Sequence, residues 1–372
     1  MAPLEGIKVV ELARVLAGPW AGQVLADLGA EVIKVESPQG DETRGWGPPF
    51  VENVDGTRDA AYFHAANRGK ASIMADFGNA EDRARVLDLI READVVIENF
   101  KVGGLAKFGL DYESLAALNP RLIYCSITGF GQTGPYAGRA GYDFVVQGMS
   151  GIMDLTGDPA GPPQKIGVAY ADIMTGLYAV IAIQAALIQR AATGRGQHID
   201  MALFDTMVGT LANQAMNYWV SGEAPHRLGN AHPNIVPYEA FPTADGWVIV
   251  AVGNDEQFAR LVELLGLPAK PGWATNAGRV AARGEVSAAV ADKTRGWQRD
   301  KLLTALDDRG VPAGPINTVA EALADPQIAA RGMRLDIARE DGTPVPGLRT
   351  PIVFSDAQLA PAKPSPRLGD RK

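Results

Sequence analysis

The sequence predicts an α/β protein whose larger part is a doubly wound, mostly parallel sheet and whose smaller part is an α+β domain. In the first third of the chain, β-branched apolar runs alternate with helical patterns at the spacing of βαβ units. The length of 372 residues exceeds that of one ordinary domain. With 47% hydrophobic and 21% charged residues, the composition is that of a folded globular chain.

The sheet prediction rests on segments that follow one another through the first third of the chain. Strands are predicted at 7–12, 31–36, 71–75, 94–98 and 121–127, and helices at 20–28, 80–92 and 112–118. In the helix 80–92, Val86, Leu89 and Ile90 share one side, which is the spacing of an amphipathic helix. This alternation favours parallel strands joined by helices that cover the sheet.

From residue 129 to 172 the chain is rich in Gly, Pro and small residues, which predicts a long loop region with a functional role. A helix is then predicted at 172–189, ended by the turn 193–196. Its apolar stretch, 173–188, is shorter than the roughly 20 residues of a membrane span, so we interpret it as a buried helix. A further helix is predicted at 199–218, where apolar residues recur at helical spacing.

A domain boundary is predicted at 221–237, where Pro, His, Asn and Gly cluster. Beyond it, predicted strands at 238–241 and 247–252 flank a hairpin turn, and helical patterns cover 256–265, 285–293 and 297–308. Strand-like runs return at 335–337 and 352–354. We therefore expect a large Rossmann-like domain at 1–220, a small α+β domain at 221–330, and a C-terminal segment at 331–372 that returns to the large domain.

Charge and composition exclude several classes of partner. The net charge of −8, from 43 acidic and 35 basic residues, argues against sequence-independent nucleic-acid binding. The single cysteine, Cys125, can form neither an intramolecular disulfide nor a Cys-based zinc site. The presence of only 4 histidines argues against a histidine-rich metal site. These counts lead us to expect no metal. Because the N-terminus lacks the pattern of a signal peptide, we expect a soluble cytoplasmic protein with no membrane partner.

Two turns after predicted strands are candidate ligand sites. The segment 129–134 matches G-x-G-x-x-G, but no apolar helical stripe follows it, so a mobile glycine loop is the alternative to a dinucleotide site. The turn 14–19 precedes a predicted helix, whose N-terminus suits an anion. It has one glycine where an NAD fingerprint needs three, so either another anionic ligand or an ordinary tight turn fits it.

Asp172 lies where the glycine-rich region becomes the long apolar helix. One interpretation is an N-cap residue, since Asp accepts hydrogen bonds from the first free N–H groups of a helix. The other is a nucleophile, because a carboxylate walled by apolar residues can attack an activated acyl group. No HExxH spacing and no G-x-S-x-G elbow offers a competing catalytic motif.

Over essentially its whole length the sequence resembles the class III CoA-transferases, the family of formyl-CoA transferase and carnitine CoA-transferase. The segments that carry this resemblance are 3–12, 15–19, 28–36, 40–44, 67–70, 97–100, 129–135, 193–197, 310–315 and 366–369. The order of Ile235-Val-Pro-Tyr238 after Asn-Ala-His-Pro looks most like the succinyl-CoA:dicarboxylate (glutarate-type) members. Members of the family are interlocked homodimers, so the resemblance implies that this chain is one as well.

The resemblance implies that Asp172 is the nucleophile and that acyl-CoA and a carboxylic acid are the substrates, with no prosthetic group. Attack by Asp172 on the acyl-CoA thioester would give an aspartyl anhydride and CoA thiolate, and the thiolate would then form an aspartyl-CoA thioester. The expected donor is succinyl-CoA and the expected acceptor is a dicarboxylic acid such as glutarate. Arg14, Arg44 or His232 is expected to pair with the distal carboxylate of the acid, because a buried acid needs a charge partner.

The resemblance also implies a set of coenzyme A contacts. They fall on Leu16, Ala17, Ala75, Asp76, Asn99, Phe100, Lys101, Lys107, Ala140, Tyr142 and Asp143. The pair Tyr142–Asp143 corresponds to a tyrosine–acid pair that lines the active site of formyl-CoA transferase. Ser37 stands where that enzyme has a CoA-binding arginine, its several-glycine lid is absent here, and the family's helical tail is missing after Leu368.

Two alternative functions are compatible with the same fold. The related α-methylacyl-CoA racemases shuttle a proton with a histidine and an aspartate, and their histidine would fall on Tyr142. A tyrosine of ordinary pKa near 10 is a poor base at neutral pH, which favours transfer. The other alternative is a non-catalytic CoA-binding protein, in which Asp172 would be dispensable.

Overall fold

The computed structural model describes residues 1–371, which form two compact units. The large unit comprises 1–153, 165–222 and 326–371, and the small unit comprises 154–164 and 223–325. The insertion of residues 154–164 into the small unit is a feature that the sequence patterns did not indicate. Each unit has its own hydrophobic core.

The large unit is built from strands and helices that alternate as the sequence predicts. Its first eight strands are β1 (Lys8–Glu11), β2 (Glu31–Glu36), β3 (Phe50–Glu52), β4 (Arg58–Ala60), β5 (Ala71–Met74), β6 (Val95–Glu98), β7 (Ile123–Thr128) and β8 (Gln197–Ala202). The helices before residue 222 are α1 (Ala17–Asp27), α2 (Ala61–His64), α3 (Ala80–Arg91), α4 (Tyr112–Leu118), α5 (Asp143–Met149), α6 (Ile152–Leu155), α7 (Tyr170–Thr193), α8 (Leu203–Gly209) and α9 (Ala212–Ser221).

The central sheet has six parallel strands in the order β5-β2-β1-β6-β7-β8. Numbered along the chain, this order is 3-2-1-4-5-6, the arrangement of a Rossmann fold. The predicted Rossmann-like α/β fold is therefore confirmed. The strand order reverses between β1 and β6, and in such sheets a crevice opens at the carboxyl ends of the two strands.

Successive residues of the central strands pack on opposite faces of the sheet. Val9 of β1 belongs to the core under α1 and α7, together with Leu25 and Ile183. Val10 belongs to the core under α3 and α4, together with Ile90. Both faces are thus buried, and each fully buried Leu or Ile side chain contributes about 1.5–3 kcal/mol of transfer free energy.

Three predicted elements differ from the structure. The helix predicted at 199–218 is wrong in its first part, because 197–202 is the sixth strand β8 and the helices α8 and α9 follow it. Ile199 and Met201 fit a period of two as well as a helical period, and a short apolar run cannot distinguish them. The loop region 129–172 contains the helices α5 and α6, and the residues 352–354 form no strand in the described chain.

Helix α7 is long and apolar enough to cross a membrane by length and composition, and it is the one such helix among the described residues. Within the large unit it packs against α1, α5 and α8. Its buried positions include Ala179 and Ile183, which have no solvent exposure. One face of the helix therefore forms part of the core, whereas Tyr178, Ile181 and Ile188 are exposed, so the prediction of a buried helix holds for one face only.

The small unit contains an antiparallel sheet covered by helices. Its strands are β9 (Tyr238–Pro242), β10 (Trp247–Ala251) and β11 (Ala313–Pro315), in the order β11-β10-β9. Its helices are α10 (Asp255–Leu265), α11 (Asn276–Ala281), α12 (Arg283–Thr294), α13 (Arg299–Asp307) and α14 (Val319–Ala324). The predicted hairpin joins β9 to β10, and Thr243 donates its N–H to the carbonyl of Gly246 across the turn.

The C-terminal segment packs on the large unit. It contains α15 (Pro326–Ala330), β12 (Arg334–Leu335) and β13 (Gly347–Leu348). Its last residues run beside the edge strand β5, where Gly369 donates its N–H to the hydroxyl of Ser72 and Arg371 donates its N–H to the carbonyl of Ser72. The tail thereby covers a sheet edge that would otherwise expose unpaired backbone groups.

Arg279 is the strongest single stability determinant that we identify in the small unit. Its fully buried guanidinium donates to the carbonyls of Val236 (2.7 Å) and Trp273 (3.0 Å) and to Asp255 (2.8 Å). We expect Arg279→Met to lower the free energy of unfolding by about 3 kcal/mol, because it leaves buried carbonyl groups unpaired. Denaturant unfolding measures this change.

The matched control is Arg299→Met, which removes an arginine whose ion pair with Asp300 lies at the surface of the same unit. This control is expected to change the unfolding free energy by less than about 0.5 kcal/mol. Equal losses in the two variants would contradict the assignment of Arg279 as a buried hub.

Candidate active site

The crevice at the carboxyl ends of β1 and β6 is held by the side chain of Asn99. Its Oδ1 accepts the N–H of Arg14 (3.0 Å), and its Nδ2 donates to the carbonyl of Arg14 (2.6 Å). These two hydrogen bonds join the turn after β1 to the turn after β6. A cavity of about 170 Å³ opens beside them.

The cavity brings together most of the residues that the sequence analysis selected. Those that line it are Arg14, Leu16, Ala17, Asn99, Phe100, Lys101, Ala140, Tyr142, Asp143 and Asp172. They come from the turns after β1 and β6, from the loop before α5, and from the starts of α5 and α7. Residues far apart in sequence thus converge at the switch point of the sheet.

Asp172 reaches this cavity because α7 crosses very close to the start of α1. Gly176 makes the approach possible, since a Cβ atom there would lie 2.7 Å from the carbonyl oxygen of Ala17. Asp172 is one helical turn before Gly176 and so faces the same direction. Its carboxylate is therefore directed to the turn at Leu16 and Ala17, where it lines the cavity.

The N-cap interpretation of Asp172 is wrong, because α7 begins at Tyr170 and its N-cap residue is Ala169. The first N–H groups are instead capped from another helix. Asp143 of α5 accepts the N–H groups of Ala171 (2.7 Å) and Asp172 (3.3 Å) through Oδ1. Because Asp143 does the capping, the carboxylate of Asp172 is left available for chemistry.

The electrostatic environment raises the proton affinity of Asp172. Burial, with a smaller contribution from the charge of Asp143, raises the pKa of its carboxyl group to about 7. Among residues 1–371, no side chain donates a hydrogen bond to this carboxylate and no cation pairs with it. Burial and the charge of Asp172 also raise the pKa of Tyr62 to about 12, so its hydroxyl stays neutral.

The N-terminus of α1 contributes a positive dipole end to the same cavity. Its N-cap residue, Leu16, has no side chain that can accept from the first turn. The free N–H groups at the start of a helix carry a partial positive charge and favour an anion. The turn at Leu16 and Ala17 therefore suits a negatively charged group close to Asp172.

A second cavity, of about 360 Å³, adjoins the first through Arg14 and Phe100. Ala75 and Asp76 line it, and so does Ser37, at the position where the resemblance to formyl-CoA transferase led us to expect an arginine. Lys107 lines neither cavity, although its Nζ lies 4.7 Å from the ring centre of Phe108, which lines the second one. The expected coenzyme A contacts thus divide between two neighbouring cavities, with Lys107 beside them.

The three residues expected to pair with a distal carboxylate lie in different surroundings. Arg14 lines both cavities and has an exposed partner, Glu42, at 3.7 Å. Arg44 is buried, lines neither cavity, and its guanidinium is already engaged by Glu36 (2.7 Å) and Asp59 (2.9 Å). His232 belongs to the small unit, where its Nδ1 accepts the N–H of Asn234.

The sequence analysis missed several residues that line or adjoin the first cavity. Arg139 lines it and stacks over Tyr136 at 4.5 Å, and Glu42 lines it opposite Arg14. Nothing in a single sequence distinguishes such charged residues from solvated ones. The glycine motif 129–134 leads into turns, and the next helix begins only at Asp143, so the dinucleotide alternative has no helix to support it.

No group of three or more His, Cys, Asp or Glu side chains in the described part of the chain could hold a metal ion. The fold and the site define a Rossmann-type α/β protein with an unpaired, partly buried carboxylate at the switch point of its sheet. A family model for CoA-transferase family III matches residues 4–372. The chain belongs to CoA-transferase family III.

Individual relatives are similar over nearly the whole chain. The chain is 62% identical to the succinate–glutarate CoA-transferase of Agrobacterium fabrum, over 100% of this chain and 94% of that protein. It is 42% identical to human succinyl-CoA:glutarate CoA-transferase, over 99% of this chain and 84% of that protein. The crystal structure of a CAIB/BAIF family protein from Brucella suis matches with a TM-score of 0.90 at 65% identity, covering 99% of this chain and 97% of that one.

The raised pKa of Asp172 predicts a pH-dependent cost to stability. Because its pKa is about 7 in the folded state and near 4 when unfolded, the folded state binds more protons between these values. The stability of the protein therefore falls as pH rises through this window. We expect Asp172→Asn to be more stable than the wild type by up to about 4 kcal/mol at pH 8 and equally stable near pH 3, below both pKa values.

Denaturant unfolding at both pH values measures this difference. Asp205→Asn is the matched control, because Asp205 also lies in the first turn of a helix in the large unit but is exposed. Its effect is expected to stay within about 0.5 kcal/mol at both pH values. An Asp172→Asn effect that does not change with pH would contradict the assigned environment.

Proposed function

We propose that this protein transfers coenzyme A from succinyl-CoA to a dicarboxylic acid, with glutarate as the favoured acceptor. The observation that carries the proposal is the partly buried, unpaired carboxylate of Asp172 at the switch point of the sheet. The Agrobacterium and human relatives, at 62% and 42% identity, are named as succinate–glutarate and succinyl-CoA:glutarate CoA-transferases, which supports the choice of donor and acceptor.

In the proposed reaction Asp172 acts as a nucleophile that is consumed and regenerated. Its carboxylate attacks the thioester carbonyl of succinyl-CoA, and the C–S bond breaks to give an aspartyl–succinyl anhydride and CoA thiolate. The thiolate then attacks the aspartyl carbonyl and releases succinate, which leaves an aspartyl-CoA thioester. Each exchange preserves one activated acyl bond, so the sequence needs no ATP.

The second half of the reaction reverses these exchanges with the new acid. A carboxylate of glutarate attacks the aspartyl-CoA thioester, and the products are an aspartyl–glutaryl anhydride and CoA thiolate. The thiolate attacks the glutaryl carbonyl, which yields glutaryl-CoA and frees Asp172. Water would hydrolyse the anhydride, and burial of the Asp172 carboxyl group supports its exclusion.

The electrostatics of the cavity support this chemistry. A carboxylate whose pKa is about 7 is more basic than an ordinary one and is still substantially ionised at neutral pH. The N-terminal dipole of α1, at Leu16 and Ala17, is suited to negative charge that develops on the thioester oxygen. Arg14 is the proposed partner of the distal carboxylate, because it lines the cavity and its present partner Glu42 is exposed.

We further propose that the protein works as an interlocked homodimer. Several large apolar side chains of the large unit are exposed in the single chain, including Trp219 at 73% and Val220 at 83%. Met216 is exposed on the same helix, α9, and so are Phe144 and Val145 on α5 and Leu177, Tyr178 and Ile181 on α7. Exposed apolar surface of this extent is typical of an interface, and a second copy of the chain is the proposed occupant. A cytoplasmic location also remains an expectation.

The covalent step is tested by mass spectrometry of the protein incubated with succinyl-CoA. We expect an adduct on the peptide that contains Asp172, with the mass of a succinyl or coenzyme A group. Asp172→Asn should form no adduct and should lose at least about a thousandfold in rate, since the nucleophile is absent. Asp205→Asn should form the adduct at the normal rate.

The alternatives give different outcomes in the same experiment. A racemase would exchange the α-proton of its acyl-CoA and form no adduct on Asp172. A non-catalytic CoA-binding protein would bind acyl-CoA equally well with and without the Asp172 substitution and would transfer nothing. Either result would reject the proposed reaction.

The acceptor assignment is tested by comparing glutarate with pentanoate, which has the same carbon chain but one carboxylate fewer. We expect Arg14→Gln to lower kcat/KM for glutarate by about 30-fold and to leave pentanoate nearly unchanged, because only glutarate has a distal charge to pair. A steady-state assay with succinyl-CoA as donor measures both. Equal losses for the two acids would show that Arg14 serves another role, such as contacting coenzyme A.

A further inference from the structure

The turn between β1 and α1 contains a residue in an unfavourable backbone conformation. Val15 has φ +69°, in the left-handed region that β-branched residues avoid because of steric clashes. It lies between Arg14 and Leu16, and all three line the cavity that contains Asp172. Strain of this kind persists only where the surrounding structure enforces it.

The carboxylate of Asp41 binds the backbone of Val15 directly, while Asn99 holds the neighbouring Arg14. The two oxygens of Asp41 accept the N–H of Val15 at 3.2 and 3.4 Å. The same carboxylate accepts from the N–H (3.0 Å) and hydroxyl (2.8 Å) of Thr43, and the ammonium of Lys34 lies 2.9 Å away. Three contacts, two from Thr43 and one from Lys34, therefore hold the Asp41 carboxylate independently of Val15.

Asp41 is one end of a row of four buried side chains of alternating charge, which continues through Lys34 and Glu11 to Lys70. Lys34 also pairs with Glu11 (3.1 Å), and Glu11 pairs with Lys70 (2.8 Å). The side chains of all four are at most 1% exposed. Gly22 of α1 allows this burial, because a Cβ atom there would lie 1.8 Å from an oxygen of Glu11.

Such a row is a costly way to gain stability alone. Burying four charges carries a large desolvation penalty, and well-packed apolar residues often stabilise a core as well or better. Burial by itself would raise the pKa of Asp41, but Lys34 and Thr43 outweigh it and hold the pKa below its ordinary value. Asp41 therefore stays ionised and stays a strong acceptor for the N–H of Val15.

We infer that Asp41 is a positioning residue for the transfer reaction. It holds Val15 in the left-handed conformation, and this fixes the Arg14–Ala17 turn that faces the acyl-CoA at Asp172. The inference rests on the proposed function, because it assigns Asp41 to the same cavity. Without Asp41, the turn would relax toward conformations in which Leu16 and Ala17 no longer line that cavity.

The test is a double-mutant cycle of Asp41→Asn and Val15→Gly, with thermal unfolding recorded for each variant. We expect Asp41→Asn alone to lower kcat/KM at least about tenfold, because only the fraction of molecules with the turn in place is active. In the Val15→Gly background the same change should cost less than about threefold. Glycine adopts positive φ without strain, so the turn no longer needs its anchor.

Two outcomes would overturn the inference. An equal loss from Asp41→Asn in both backgrounds would mean that Asp41 acts on something other than Val15. Should Asp41→Asn not fold, the comparison of Val15→Gly with Val15→Ala decides instead. The inference requires the glycine variant to unfold at the higher denaturant concentration, since alanine keeps the clash, and the reverse order would reject it.

Failure of the proposed function is distinguishable from failure of this inference. If the wild type forms no adduct on Asp172, the transfer reaction is wrong, whatever the Asp41 variants do. If the wild type forms the adduct, Asp41→Asn should form it too, at least about tenfold more slowly. An unchanged rate of adduct formation in Asp41→Asn would reject the positioning role while leaving the reaction intact.

Discussion

The close contact between α7 and the start of α1 is the constraint on which the site depends. With a side chain at residue 176, the carbonyl of Ala17 and α7 could not share this space, and α7 would shift outward. The carboxylate of Asp172 would then leave the crevice between β1 and β6. The absence of a Cβ atom at Gly176 thus determines where the carboxylate of Asp172, one helical turn earlier, is placed.

Two aspartates near this contact differ in their hydrogen bonding: Asp143 accepts several hydrogen bonds, whereas the carboxylate of Asp172 accepts none from any side chain of residues 1–371. The carboxylate oxygens of Asp143 accept hydrogen bonds from the N–H groups of Ala171 and Asp172 and from the side-chain amide of Gln147. These hydrogen bonds cap α7 and join it to α5. The charge of Asp143 in turn helps to keep the neighbouring Asp172 basic. One carboxylate is fixed by hydrogen bonds so that the other can be left without them.

The sequence predicted the sheet well because its strands are near-continuous apolar runs, which parallel strands buried on both faces require. It failed at β8, where Ile199 and Met201 are compatible with either period. Asp172 could be proposed as the nucleophile only through the family resemblance, since an aspartate at the start of a helix is more often a cap. The cap itself, Asp143, lies 29 residues earlier in the chain, and no local pattern links the two.

The strained turn could not have been predicted at all. Val15 lies in the predicted turn 14–19, but no local pattern indicates its left-handed conformation, and Asp41, which binds its N–H, lies 26 residues away. Likewise Arg44 looked like a free cation in the sequence, whereas Glu36 and Asp59 engage it in the folded chain. Backbone conformation at Val15 and ion pairing at Arg44 both depend on residues distant in the chain, and such tertiary contacts cannot be predicted from local sequence patterns.

The way the last residues bind beside β5 has a consequence for biosynthesis. The large unit draws on residues 1–153, 165–222 and 326–371, and the N–H and carbonyl of Ser72 in its edge strand bond to Asp370 and Arg371 of the last piece. Translation delivers residues 223–325 before that final piece. The large unit therefore cannot close this sheet edge until residues 223–325 have been synthesised, so its completion is a late event in biosynthesis.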